Sequence, residues 1–88
     1  MSSPTEDDTA ARLTAGRARI DALDSEIIEL VRQRVALSGD LQQLRMATGE
    51  PRIAHTRELQ IVDRYSDALG KPGTQLALTV LELCRGRD

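Results

Sequence analysis

Apolar residues recur at seven-residue intervals through the first half of the chain. Leu13, Ile20, Ile27 and Leu41 form one row, and Leu23, Leu30, Leu37 and Leu44 form a second row three residues further on. Two rows offset in this way are the a and d positions of a helix with a continuous apolar seam. Only the isolated Gly16 and Gly39 interrupt it, so the pattern predicts one helix over residues 9–47, preceded by a disordered polar tail, residues 1–8, in which Thr5 and Asp8 have the spacing of a helix start. At 1.5 Å per residue that helix would extend on the order of 55 Å, more than the rest of an 88-residue chain can cover. The seam calls for another chain.

Thr48-Gly49-Glu50-Pro51 stops the helix, with Gly49 suited to a left-handed cap and Pro51 just beyond it. A second helix is predicted over 56–69, with Glu58 in its first turn and Leu59, Val62, Tyr65 and Leu69 at helical spacing. Gly70-Lys71-Pro72-Gly73 reads as a turn and Thr74 as the N-cap of a third helix over 75–85. That helix, LALTVLELC, is apolar on nearly every side, which predicts burial between other helices. The expected fold is all-α: one long helix and two short ones in a single domain, residues 9–88, whose seam pairs with another chain.

Composition supports the need for a second chain. A domain of 88 residues buries a modest core, and one cysteine (Cys84) with one histidine (His55) leaves neither an intrachain disulfide nor enough ligands for a metal site. The start MSSPTEDDT lacks the basic and apolar segments of a signal peptide, and no run is long and apolar enough to span a bilayer, so a cytoplasmic protein with no membrane role is expected. Tyr65 is the single aromatic residue and the formal net charge is −2, which argues against a nucleic-acid partner.

Charge changes the picture in one respect: of twelve basic residues, Lys71 alone is a lysine. Arginine presents a planar fork that matches a carboxylate and keeps its charge when desolvated. Arg34 occupies the a row itself, and Arg17 and Arg45 lie on the adjoining row with Asp24, Val31 and Ser38. Taken singly, each charge has a structural account. Arg34 could fix register in a helical seam, Glu58 could complement a helix N-terminus, and Arg57 could be solvated. Together, several cations and one acid on the buried side of three helices suit a small molecule with two carboxylates and a hydroxyl.

The ordered set Arg17-x-x-Ile20-x-x-Leu23-Asp24, Leu30-Val31-x-x-Arg34, Arg45 and Arg57-Glu58 resembles the all-helical, AroQ-type chorismate mutases over nearly the whole chain. RMATGEPRIAHTRE and the ending LELCRGR look most like the short actinobacterial (delta) subclass. The resemblance implies an intertwined homodimer that converts chorismate to prephenate by a Claisen rearrangement, without a cofactor. Arg34 and, from the other chain, Arg17 would grip the two carboxylates; Arg45 would reach the ether oxygen and Glu58 the ring hydroxyl. Arg57 would help shape the site, and Ala54, where better-studied members carry an aspartate, could contribute only its backbone N–H. Many members have a glutamine on the last helix as a second donor to the ether oxygen. Leu81 and Arg85 are the nearest occupants of that region here, which implies weak activity alone.

Some members of the subclass are activated by 3-deoxy-arabino-heptulosonate 7-phosphate synthase, which makes that enzyme a possible partner, with the tail Arg85-Gly86-Arg87-Asp88 as a lid or docking segment. Isochorismate pyruvate-lyase, a mutase for 4-amino-4-deoxychorismate and a non-catalytic helical regulatory dimer are the alternatives on the same scaffold. Cys84 reads as a small core residue, His55 as a loop residue, and Gly39 as a point of close helix approach.

Overall fold

The computed structural model describes residues 6–49 and 55–85. They form three helices and no strand: α1 (Glu6–Thr48), α2 (His55–Leu69) and α3 (Lys71–Cys84). Residues 1–5, Ala54 and residues 86–88 lie outside the described residues, and with them most of the expected tail and the Gly-Arg-Asp ending. α1 begins at Glu6, inside the segment expected to be disordered, because Asp7 and Asp8 put carboxylates at the positive end of the helix dipole.

The chain divides into two units, Met1–Leu30 and Val31–Asp88. In the first, the side chains from Asp7 onward are exposed. In the second, the remainder of α1 turns a half-buried stripe inward: Val31, the adjacent Arg34 and Val35, Ser38, Gln42 and Arg45, recurring every three or four residues. This inner stripe is largely polar. Most leucines of the seam lie elsewhere on the helix, with Leu37 and Leu44 59% and 62% exposed.

Ile61 of α2 and Ala77, Val80 and Leu81 of α3 form the buried apolar core. Within this chain α3 is covered on one face only, since Leu76, Leu78 and Leu83 remain about half exposed. The expected burial of that helix on every side is therefore not achieved by one chain. On α2 the buried edge runs through Ile61, Val62 and Tyr65, while Leu59 and Leu69 are exposed.

The caps explain where the helices stop. Gly49 takes φ 79° after α1, the left-handed conformation expected of it. Gly70, at φ 78°, separates α2 from α3, and its N–H bonds Ser66 O at 2.7 Å. The third helix starts at Lys71, not after Thr74. Pro72 lacks an N–H, but the first turn of a helix has no partner for one, so the proline initiates α3 instead of marking a turn ahead of it. Thr74 is consequently a helical residue and Gly70 the N-cap.

Gly73 allows the two short helices to meet. A Cβ there would overlap the Tyr65 carbonyl oxygen and approach its carbon to 2.8 Å and Leu69 Cβ to 2.9 Å. Helix propensity alone would make Gly73→Ala stabilising by about 1 kcal/mol. The backbone clash reverses the sign, and a net loss of about 1–3 kcal/mol is expected, read as a lower midpoint in urea or thermal unfolding. Gly39, by contrast, meets nothing within 4 Å in the chain, so the close approach expected there is not made by α2 or α3.

Candidate active site

A cavity of about 170 Å³ opens in the second unit, where the three helices converge. α1 supplies Arg34, Ser38, Leu41, Gln42 and Arg45; α2 supplies Arg57, Glu58 and Ile61; α3 supplies Leu81, Cys84 and Arg85. Spacing explains each contribution. Arg34, Ser38, Leu41 or Gln42, and Arg45 follow one another at three- and four-residue steps along one side of α1. Cys84 and the C-cap Arg85 lie three and four residues after Leu81, on the same side at the end of α3.

The lining is strongly cationic. Among the described residues, Arg34, Arg45, Arg57 and Arg85 stand against the single acid Glu58, an excess of three positive charges around a partly enclosed space. Such a concentration of one sign raises the local potential and favours an anion. Leu41, Ile61 and Leu81 provide apolar walls, and Ile61 and Leu81 are 7% and 6% exposed. Together these groups make a site for a small organic anion with an apolar skeleton.

Contacts between helices hold charged side chains in place. Arg85 Nη2 donates to Glu58 Oε1 at 2.8 Å, joining the end of α3 to the first turn of α2. Arg34 Nη1 donates to Cys84 Sγ at 2.8 Å, joining α1 to α3. At the end of α1, Thr48 Oγ1 donates to the Arg45 carbonyl at 3.1 Å, which helps to close the turn carrying that arginine. Among the described residues no group of histidine, cysteine or carboxylate side chains is arranged to hold a metal ion.

The structure thus brings together Arg34, Arg45, Arg57, Glu58, Leu81 and Arg85 from the sequence reading. Arg17, in the first unit, is exposed and is not among the lining residues, and Ala54 lies outside the described residues. Cys84 is half-buried in the cavity wall with an arginine bonded to its sulfur, not a core residue. Ser38, Leu41, Gln42 and Ile61 also line the cavity, beyond the site residues expected from sequence. The signal was available: Cys84 follows Leu81 by three positions, Ser38 and Gln42 follow Arg34 by four and eight, and Ile61 follows Glu58 by three.

Comparisons with known proteins point to one family. An intracellular chorismate mutase of Mycolicibacterium smegmatis is 44% identical over 71 residues, covering 81% of this chain and 68% of its own length. Its Mycobacterium tuberculosis counterpart is 45% identical over 71 residues, covering 81% and 67%. A solved non-covalent complex of DAHP synthase and chorismate mutase from Corynebacterium glutamicum, with a bound transition-state analogue, contains a chain similar to this one. The likeness has a TM-score of 0.82 and 32% identity, over 91% of this chain and 96% of that one. No helix among the described residues is long and apolar enough to cross a membrane. With residues 16–81 matching the family described as chorismate mutase type II, the chain belongs to that family.

Proposed function

We propose that this chain catalyses the rearrangement of chorismate to prephenate in the cavity between its three helices, as one of two such sites in a homodimer. The observation that carries the proposal is the convergence of Arg34, Arg45, Arg57 and Glu58 on one apolar-walled cavity in a chain of this family. The reaction breaks an ether C–O bond and forms a C–C bond within one molecule, so it requires no nucleophile and no proton transfer. Two physical tasks remain. The flexible dianion must be held with its enolpyruvyl arm folded over the ring, and such orientation lowers a barrier substantially. Negative charge gathering on the ether oxygen must meet a fixed cation in a site that excludes water.

Arg34 takes one carboxylate, its guanidinium oriented by Cys84 Sγ at 2.8 Å. Arg45 faces the ether oxygen and supplies the charge that grows in value as the bond breaks. Glu58 accepts a hydrogen bond from the ring hydroxyl, and Arg57 adds positive potential at the mouth. Ile61 and Leu81 pack against the ring and keep the polar contacts dry. Arg17 of the second chain grips the remaining carboxylate.

The seam supports the homodimer. Leu13, Ile20, Ile27, Leu30, Leu37 and Leu44 are each more than half exposed in the single chain, an apolar area that a protein in water covers with another surface. A cavity of about 170 Å³ also falls below the roughly 300–1,000 Å³ of small-molecule sites, as it would if a second chain completed it. The intracellular naming of the relatives supports a cytoplasmic location. The complex from C. glutamicum supports a DAHP synthase partner.

The test follows the loss of chorismate ultraviolet absorbance with purified protein, product identification, and repetition with the synthase added. Prephenate is expected from the protein alone, at a low rate because no glutamine on α3 faces the cavity, and faster with the synthase. No turnover in either condition would sink the assignment.

A further inference from the structure

Glu58 is the single acid in the cavity wall among the described residues, and it does not face the cavity alone. Arg85 Nη2 lies 2.8 Å from its Oε1, and both residues line the same space. Arg85 is itself well placed: it forms the C-cap of α3, with its N–H bonded to Leu81 O at 3.1 Å and Glu82 O at 3.2 Å. A carboxylate accepts roughly four hydrogen bonds, so the pairing does not exhaust Glu58. It does cancel the charge of Glu58 as felt by a ligand.

We propose that Arg85 is a positioning residue that sets the charge selectivity of the site, pairing with Glu58 so that the pocket takes a ring hydroxyl and rejects a ring ammonium. The proposal rests on the mutase reading above. A hydroxyl donates one hydrogen bond to Glu58 and is indifferent to a neighbouring cation. An ammonium donates three, accepts none, and brings a charge that the adjacent guanidinium repels about as strongly as the carboxylate attracts it. The other charged groups of the wall, Arg34, Arg45 and Arg57, add to that repulsion. Sequence suggests the same selectivity only weakly, through the lack of a second acid near Glu58. The ion pair removes even the first one as a counter-charge.

The pair is partly exposed, with side-chain exposures of 50% for Arg85 and 27% for Glu58, so it adds little to stability. Selectivity does not require it to. The position of the cation beside the acceptor is what counts, and its effect is damped by salt but not removed.

The experiment measures inhibition of chorismate turnover by 4-amino-4-deoxychorismate in the full-length protein, its Arg85→Gln variant and its Arg85→Lys variant, at low and at physiological ionic strength. The expected result for Arg85→Gln is a fall of about tenfold in the preference for chorismate over the amine, larger at low salt, with Arg85→Lys retaining most of the preference. A purely structural role would weaken both ligands in proportion, and an unchanged ratio in Arg85→Gln overturns the proposal. Failure of the mutase reading looks different: the unsubstituted protein would neither turn over chorismate nor bind it in calorimetry, and both proposals would then fall together.

Discussion

Arg45→Ala is expected to lower kcat/KM for chorismate by about two to three orders of magnitude, roughly 3 to 4 kcal/mol of transition-state stabilisation. The loss should appear chiefly in kcat, because the charge on the ether oxygen develops as the C–O bond breaks and is small in the bound ground state. Arg45 sits near the end of α1, half-buried in the cavity wall, beyond the leucine rows that would pair two chains. Sedimentation and circular dichroism of the variant should therefore match those of the parent. Arg45→Lys keeps the charge but loses the planar fork, and an intermediate loss of about tenfold is expected. Full activity in Arg45→Ala would remove the ether-oxygen role from this residue.

Arg17 gives the second large effect, and one that also tests how the site is assembled. Arg17→Ala alone should lose about a hundredfold in kcat/KM, mostly through KM, since a charge-assisted contact to a carboxylate is removed. Mixing that variant with Arg45→Ala, after unfolding and refolding together, should restore activity. Random pairing gives mixed dimers in which one site has both arginines, so about a quarter of all sites recover. If Arg17 served the cavity of its own chain, every site would lack one arginine and mixing would restore nothing.

Both experiments probe residues that could be picked out before any fold was known, and the reason is periodicity. A seven-residue repeat of Leu and Ile admits one backbone, a long helix, and Arg17 and Arg45 stand out because they border such a row, which Arg34 itself interrupts at a cost without a partner. The acid at the start of α2 was legible for a similar reason, since Glu58 shares a face with Val62 and Tyr65. The start of α3 was not. Gly-Lys-Pro-Gly is compatible with a turn or with a helix that opens on proline, and the choice falls to the helix because Gly73 lets α3 press against the Tyr65 backbone. Nothing local to residues 70–74 carries that information.

Along the chain alone, hydrophobic spacing determined an all-helical protein with one long and two short helices, an apolar seam too long for a single chain to cover, and a set of arginines suited to a dicarboxylate. Tertiary structure decided which side chains share the cavity. Glu58 and Arg85 are 27 residues apart and Arg34 and Cys84 are 50 apart, yet each pair meets at 2.8 Å. Helical periodicity specifies the face on which a residue lies, but not which face of another helix will oppose it. That opposition is set by packing, through Ile61, Gly73, Ala77, Val80 and Leu81, whose burial seats α3 against α2 and brings Arg85 to Glu58.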